Sequence, residues 1–290
     1  MKPIAAEAGA MAIDDPGRDF AAPMKQLAGR LGTSPVLGRS VVLPTLVAAV
    51  VLLAWEYGVR LAHVPQMIIA PPTAVWEVIA TNPSILLQQS WPTIVEAVFG
   101  FGLAAALGIV IGTGLVLSES LQKAFYPYIL VFQLIPKVAL APLFIIWLGV
   151  GLTSRLTFAV FLAFFPVVIS TMTGLMSADR NAVRLCEALT ASRWQIFRSV
   201  RIPYSLPHVF AGLKISATMA MVGVIVGEFV TAQEGLGYLI MFGTSAGETA
   251  LVFAAIVLLC IIGLALYGSV ALVEAIVQKW LGVAITTSEF

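Results

Sequence analysis

Long apolar runs, separated by short polar stretches, dominate the chain. A helix needs roughly 20 apolar residues to cross the hydrocarbon core of a bilayer. Six runs of that kind, with few charges near their centres, occur in the sequence, namely 41–61, 93–117, 125–150, 155–176, 208–230 and 250–276. This pattern predicts an all-α membrane protein with six transmembrane helices.

The third run contains residues that interrupt a regular helix. It reads FYPYILVFQLIPKVALAPLFIIWLGV, with Pro136, Lys137 and Pro142 inside it. Proline removes a backbone donor and kinks a helix, and a charge at the middle of a span costs about 2.5–3.5 kcal/mol on insertion scales. We therefore expect the third span to be kinked or broken at this point.

The composition agrees with a membrane protein. Of 290 residues, 60% are hydrophobic and 11% are charged, whereas soluble domains average about 45–50% and 25%. The mean hydropathy is +0.99. The formal net charge of +1 argues against a nucleic-acid partner, because binding a polyanion requires a clustered basic excess. The two cysteines, Cys186 and Cys260, do not indicate a disulfide framework.

The distribution of Lys and Arg predicts the orientation of the spans. With the N-terminus in the cytoplasm, 13 of the 16 cationic side chains fall on the cytoplasmic side, and the exceptions are Arg60, Lys137 and Arg155. Cytoplasmic loops carry the excess of positive charge, so we expect both termini inside the cell. The segments 63–92 and 231–249 would then lie outside, each with a short helix.

We expect three regions along the chain. Residues 1–40 interleave acidic and basic side chains with Ala, Gly and Pro, which predicts a flexible cytoplasmic tail rather than a cleaved secretory signal. Residues 41–283 form one six-span domain, and residues 284–290 form a short C-terminal tail. The connection 177–207 is the largest cytoplasmic loop of that domain.

This loop, between spans four and five, contains the one long amphipathic and basic passage. From Cys186 to Arg201 it reads CEALTASRWQIFRSVR. The apolar spacing predicts a short helix, a bend near Ala191-Ser192, and a second helix that ends at Pro203 and Pro207. A basic helix with aromatic side chains either lies on anionic lipid or inserts into a groove of a partner protein.

A dense and ordered set of short motifs runs from about Phe125 to Ile240. The motifs are IPKVALAPLFIIWLG from Ile135, ASRWQIF from Ala191, Ile202-Pro203 with Leu206-Pro207, AGLK from Ala211, Gly227-Glu228, and EGLGY from Glu234. In this succession the chain resembles the membrane subunit of bacterial ABC-type importers. The branch it resembles handles nitrate, sulfonates, taurine and related small substrates.

The resemblance implies a permease subunit of an ATP-driven importer in the bacterial inner membrane. Its expected partners are a pair of cytoplasmic ATP-binding cassette subunits, a second permease copy that makes a homodimer, an external solute-binding protein and the lipid bilayer. The expected substrate is a small anionic or polar organic molecule of the nitrate, sulfonate, taurine or vitamin-precursor kind. No Gly-Lys dipeptide occurs, so the chain lacks a phosphate-binding loop. We expect no cofactor here, and ATP hydrolysis on a separate subunit.

The resemblance also implies that the loop carries a coupling helix, which docks in a cleft of the ATPase subunit. The residues expected to dock are Glu187, Thr190, Ala191, Ser192, Trp194, Gln195 and Phe197. Thr190 stands where the family has Gly, and Arg184, Leu185 and Cys186 stand where it often has Glu-Ala-Ala. Because Thr reaches a positive φ less cheaply than Gly, the turn at this position departs from the family pattern.

Three polar residues are candidates for the translocation pathway. The Lys137 ammonium either faces an aqueous path and attracts an anion, or it snorkels or caps carbonyls where the helix breaks. Gln133 precedes it by one turn. Glu228 either gates the outer mouth, pairs with a cation such as Arg155, or is an ordinary interfacial carboxylate.

An enzymatic site and a metal site are not expected. The sequence offers no catalytic triad, and His63 and His208 are assigned to opposite membrane faces. One alternative is an ion-coupled secondary carrier of a small solute, which needs ionisable groups at mid-membrane. Lys137 is the clear candidate for that role. A membrane anchor, which needs a docking surface but no polar pathway, is the other alternative.

Two smaller patterns predict helix packing and an ion pair. The pairs Gly108-x3-Gly112 and Gly223-x3-Gly227 lie in spans two and five and predict close helix approach. Glu56 and Arg60 are one turn apart in the first span and predict an ion pair.

Overall fold

The computed structural model of the chain describes residues 36–231 and 233–281. Within these residues the chain is helical and contains no β-strand. It divides into two units, Met1–Trp55 and Glu56–Phe290. Most of the predicted tail 1–40, and all of the predicted tail 284–290, lie outside the described residues.

The described residues contain eleven α-helices. They are α1 (Val36–Leu61), α2 (Pro72–Thr81), α3 (Pro83–Leu117), α4 (Glu119–Leu134), α5 (Ala141–Leu148), α6 (Leu152–Met176), α7 (Arg180–Ala188), α8 (Arg193–Ile196), α9 (Ile202–Thr231), α10 (Leu236–Ala246) and α11 (Thr249–Leu281). A 3-10 turn, Lys137–Leu140, links α4 to α5, and a π-helical turn, Phe197–Arg201, links α8 to α9.

Five of these helical runs are long and apolar enough to cross a membrane within the described residues. They contain α1, α3, α6, α9 and α11. The pair formed by α4 and the run Lys137–Leu148 has the composition of a sixth span but is bent by 87°. The predicted break in the third span is therefore confirmed. Its cause is Pro136, which cannot donate a helical hydrogen bond and holds Ile135 in an extended conformation (φ −66°, ψ 131°).

Helix α3 begins earlier than the second predicted span. It starts at Pro83 and continues through Pro92, so the predicted loop 63–92 holds α2 and also the first turns of α3. Because Gln89 and Ser90 are polar, they lower the local hydropathy, and the apolar pattern alone does not include these turns in the span. Both side chains have partners, since Ser90 donates to the Leu86 carbonyl at 2.7 Å and Gln89 accepts a backbone bond described below. The second predicted outer helix corresponds to α10.

Helix α6 lies between α3 and α9 in the interior of the second unit. A Cβ added at Gly108 of α3 would come within 2.6 Å of Cβ of Val167, and one added at Gly223 of α9 would come within 2.6 Å of Cα of Ala159. The close approach predicted from the two glycine pairs is confirmed. Glycine therefore lets both α3 and α9 pack closely against α6.

A second interior cluster joins α2, α3, α10 and α11. It brings together small and branched apolar side chains, so that the short helices α2 and α10 pack against the longer ones. Its buried members include Ala70, Val75, Leu86, Leu236, Leu239, Ala254, Ala255 and Leu259.

The end of α1 is tied to the start of α2 by the predicted ion pair. Arg60 Nε lies 2.5 Å from Glu56 Oε1, which confirms the pair. Thr73 adds to it, because its backbone N–H donates to Glu56 Oε2 at 3.0 Å and its hydroxyl to Oε1 at 2.9 Å. The carboxylate therefore also caps the amino end of α2.

Candidate functional site

The loop between α6 and α9 folds as two short helices with a sharp turn between them. The Asp179 side chain accepts the Asn181 N–H at 2.9 Å and caps α7. After the turn, Ser192 begins α8 with a capping box. The Ser192 N–H donates to Gln195 Oε1 at 2.7 Å, and the Gln195 N–H donates to Ser192 Oγ at 3.3 Å. The predicted bend at Ala191-Ser192 is confirmed, and its rigidity comes from these caps.

Thr190 occupies the turn with a left-handed backbone. Its φ is +61°, a conformation that costs a β-branched residue more than glycine. The turn is nonetheless closed by two backbone bonds, from the Thr190 N–H to the Glu187 carbonyl and from the Ala191 N–H to the Cys186 carbonyl, each 3.0 Å. The turn therefore has the left-handed backbone conformation that glycine favours, although the residue in that position is Thr190.

The second helix does not end at Pro203 and Pro207, so that prediction is wrong. The chain is helical from Arg193 to Thr231, with the π-helical turn Phe197–Arg201 immediately before Pro203. The wider turn ends just before α9, so that Pro203 falls in the first turn of α9, where no backbone donor is needed. Pro207 lies inside α9 and does not end the helix. As a result α8 is continuous with α9.

The two aromatic side chains of the loop stack but have different surroundings. The rings of Trp194 and Phe197 lie 5.6 Å apart at 23°. Phe197 is buried in a cluster with Val116, Val168 and Met172, whereas Trp194 is 62% exposed. Of the two aromatic side chains expected to dock, only Trp194 is exposed to a partner. Phe197 instead fixes the loop to the ends of α3 and α6.

Three large apolar side chains of the loop remain exposed. Leu185 is 63%, Leu189 72% and Trp194 62% exposed, and we refer to them as the apolar triad. Among the other expected docking residues, Glu187, Thr190, Ser192 and Gln195 are also exposed, and Ala191 is half-buried. An exposed apolar set on an otherwise basic loop is typical of a protein-binding surface.

The three pathway candidates lie in two places. Gln133 is exposed on the last turn of α4, and Lys137 begins the 3-10 turn. The Lys137 ammonium lies over the ring of Phe165, 4.8 Å from its centroid, a cation–π contact. Glu228 is buried within α9, and within the described residues no hydrogen bond or ion pair joins it to Gln133 or Lys137.

Glu228 is the centre of a polar cluster that the sequence did not predict. Its carboxylate is fully buried. Oε1 accepts the Thr93 hydroxyl of α3 at 2.6 Å, and Oε2 accepts the Gly237 N–H of α10 at 2.6 Å. One side chain of α9 thus binds both α3 and the amino end of α10.

The neighbouring backbone donors of α10 are satisfied in the same way. The Gly235 N–H donates to Gln89 Oε1 at 2.7 Å, and the Leu236 N–H donates to Thr93 Oγ1 at 3.0 Å. A Cβ at Gly235 would meet the Glu228 carboxylate. The glycine is required because the buried carboxylate occupies that space.

Arg155 of α6 completes the cluster. It is 4% exposed, and its Nη2 and Nε lie 2.6 and 2.9 Å from Oε1 of Glu96, which is 1% exposed. Nη2 also lies 3.2 Å from Glu234 Oε1. Within the described residues Glu96 Oε2 has no hydrogen-bond partner. Arg155 thus pairs directly with Glu96 and Glu234, not with Glu228. A glutamate at position 96, inside the second predicted span, is the sequence signal that could have indicated this cluster.

These features define an all-α membrane protein. One of its spans is broken, and a helical loop connects α6 to α9. The chain belongs to the family described as binding-protein-dependent transport system inner membrane components, whose model matches residues 100–279. It is a permease subunit of an ABC importer.

Several relatives carry transport names. The chain is 34% identical over 250 residues to the riboflavin transport system permease protein RibX of Chloroflexus aurantiacus, which covers 85% of this chain and 91% of the relative. It is 30% identical over 237 residues to the formylaminopyrimidine transport permease protein ThiX of Halalkalibacterium halodurans, covering 82% and 95%. It is 28% identical over 256 residues to the taurine transport system permease protein TauC of Escherichia coli, covering 85% and 92%.

A solved structure has the same fold. A chain of the MetNI methionine ABC transporter, described in inward-facing conformations, superposes with a TM-score of 0.59 at 20% identity, over 68% of this chain and 99% of that one.

Proposed function

We propose that two copies of this chain enclose a translocation pathway for a small polar or anionic organic solute. A solute-binding protein delivers the solute from outside, and a separate pair of ATPase subunits supplies the energy. The residues 41–283 make up the permease domain, with both termini and the loop 177–207 in the cytoplasm. Family membership supports this assembly, because the family is named for transport that depends on a binding protein.

The names of the relatives support the substrate class. Riboflavin, formylaminopyrimidine and taurine, in the names of the three relatives above, are small molecules rich in polar or ionisable groups. A molecule of this kind cannot cross a hydrocarbon core without a polar pathway. We propose the same broad class for this chain, which includes sulfonates, nitrate-like anions and vitamin precursors.

The apolar triad is the observation that carries the ATPase-docking part of the proposal. Leu185 lies in the last turn of α7, Leu189 directly follows that helix, and Trp194 comes after the turn. In the cytoplasm these side chains would be in contact with water, which is unfavourable by about 25 cal/mol per Å² of apolar surface. A cleft of the ATPase subunit that covers them removes this cost, and a central tryptophan is a typical hot spot of such an interface.

The same loop is built to transmit force. Ile196, Phe197 and Val200 are buried, and α8 continues into α9. A displacement of the docked loop therefore moves α9, and α6 with it, as a rigid body. ATP binding, which closes the ATPase pair, would switch the pathway from inward-facing to outward-facing, and hydrolysis would reset it.

The break in the third span suggests where the translocation pathway runs. Non-helical backbone at membrane depth is tolerated where it is buried in protein or lines a water-filled cavity. Gln133 and Lys137 flank the break, and we propose that they line the path of the solute. Glu228 has both carboxylate oxygens engaged by α3 and α10, so we propose that it controls the outer end by positioning α10 rather than by touching the solute.

Co-purification of the ATPase subunit tests the docking proposal. Trp194→Asp should weaken association by about 30-fold, which corresponds to the loss of a hot-spot side chain of roughly 2 kcal/mol. Trp76→Asp is the matched control, because Trp76 of α2 is also exposed (69%) and lies on the proposed outer side. Equal retention of the ATPase subunit by both variants would contradict the proposal.

A further inference from the structure

A basic recess lies beneath α7, on the side of the loop that faces the ends of the long helices. It consists of two adjoining cavities of about 570 and 410 Å³, within the size range of ligand sites. The two cavities share the lining residues Val116, Glu119, Val183, Glu187 and Arg201.

Four arginines contribute to the recess. Arg180, Arg184 and Arg201 line the larger cavity, and Arg193 and Arg201 line the smaller one. Arg180 and Arg184 are one turn apart, so both extend from the same face of α7. Among the described residues none of the four belongs to an ion pair.

The acidic residues of the lining do not neutralise this charge. Glu119 is engaged by Lys123 at 2.7 Å, which leaves Glu187 as a single carboxylate opposite the four guanidinium groups within the described lining. The recess therefore attracts an anion, and planar guanidinium groups are suited to a phosphate because they donate two parallel hydrogen bonds to it.

The floor of the recess is apolar and lies where membrane helices end. Val116, Leu175 and Met176 line the larger cavity. Helix α3 ends at Leu117, and α6 ends at Met176. A site at the ends of two spans is level with the membrane–water interface, with hydrocarbon on one side and water on the other.

We propose that this recess binds the headgroup of an anionic phospholipid. Arg180, Arg184 and Arg201 surround the phosphate, and the acyl chains extend along Val116 and Met176 into the bilayer. Basic pockets between helix ends at the cytoplasmic surface have this lipid chemistry. The apolar floor favours a lipid over an acidic protein surface. The bound lipid holds α7 to the ends of α3 and α6 and so sets the height of the proposed docking loop, a consequence that rests on the docking function proposed above.

Native mass spectrometry of the purified chain with dioleoyl phosphatidylglycerol or phosphatidylcholine tests the proposal. The wild-type chain should retain phosphatidylglycerol selectively. Arg180→Gln combined with Arg184→Gln should weaken that binding by about 30-fold, because each arginine near an anionic membrane surface contributes about a 5-fold factor. Both side chains are exposed, so the fold should not depend on them. Arg198→Gln is the control, since Arg198 is exposed on the same loop but lines neither cavity.

Other occupants give different results. Displacement of phosphatidylglycerol by millimolar inorganic phosphate would overturn the lipid assignment and leave a site for free anions. Unchanged lipid retention in the double variant, with release of the ATPase subunit, would also overturn it and assign the arginines to the protein interface. Loss of ATPase association in Trp194→Asp with normal lipid retention would support the lipid site, independently of the docking proposal.

Discussion

Arg155 provides the strongest test of the interior cluster. Its guanidinium makes two close contacts with Glu96, at 2.6 and 2.9 Å, where the side chains are 5% and 1% exposed. The third contact, to Glu234, is longer at 3.2 Å and reaches a carboxylate that is 56% exposed. Removing one partner of a buried pair leaves an uncompensated charge and typically costs about 3–5 kcal/mol, whereas an exposed pair contributes about 0–1 kcal/mol.

We therefore expect Arg155→Met to lower the free energy of unfolding by about 3–5 kcal/mol, nearly all of it through Glu96. The double variant Arg155→Met with Glu96→Leu should recover most of this loss, because a buried apolar pair replaces the buried charges. Arg60→Met is the matched control. Arg60 also pairs with a glutamate, but its side chain is 60% exposed, so its loss should cost about 1 kcal/mol or less.

Unfolding of the purified protein in mixed micelles with increasing dodecyl sulfate, followed by tryptophan fluorescence, measures these differences. A double-mutant cycle should show a large coupling between Arg155 and Glu96. A loss in Arg155→Met no greater than that in Arg60→Met, or a double variant as unstable as the sum of the single variants, would refute the buried pair as the main source of this stability.

Three further changes test other parts of the structure. Thr190→Gly should stabilise the protein by about 1 kcal/mol in the same unfolding assay by relieving the positive φ, whereas Thr218→Gly, inside α9, should destabilise it by about 0.3 kcal/mol. Gly237→Ala should cost about 1–3 kcal/mol, because its Cβ would lie 2.8 Å from Glu228 Oε2; a stable variant would show that α10 can shift freely. Lys137→Met should raise the KM for an anionic substrate about tenfold, an effect of roughly 1.4 kcal/mol, and an unchanged KM would assign the lysine to structure alone.

The features that follow from local sequence were predictable. The long apolar runs predicted the membrane helices, Pro136 predicted the break after α4, and the glycine pairs predicted close helix approach in spans two and five. The pair formed by Glu56 and Arg60 is also local, because one helical turn separates the two residues. In each case the physical cause acts within one helix or over one turn.

The interior cluster was not predictable in the same way. Glu228 bonds to Thr93, 135 positions away in the sequence, and Gly235 bonds to Gln89, 146 positions away. Such contacts depend on how whole helices pack, which a hydropathy pattern does not specify. A charged residue such as Glu96 inside an apolar run needs a partner, but the sequence does not indicate which residue that partner is.

The burial of Phe197 was also not predictable from the local sequence. Its neighbours along the chain, a basic loop with Trp194 and three arginines, indicate an exposed aromatic side chain. The π-helical turn that begins at Phe197 rotates the following residues relative to an ideal α-helix, and tertiary packing buries Ile196, Phe197 and Val200 together. The exposed and buried faces of this segment therefore follow from the tertiary structure.

Transport by the reconstituted protein tests whether the chain works as part of an ATP-driven importer. The chain would be placed in liposomes with its co-expressed ATPase subunit and solute-binding protein, and uptake of the radiolabelled solute that this protein binds would be measured with and without ATP. We expect uptake that requires ATP and both partners, and we expect Trp194→Asp to lower this uptake strongly. Uptake by the chain alone, driven by an ion gradient in the absence of ATP, would contradict this expectation and identify a secondary carrier.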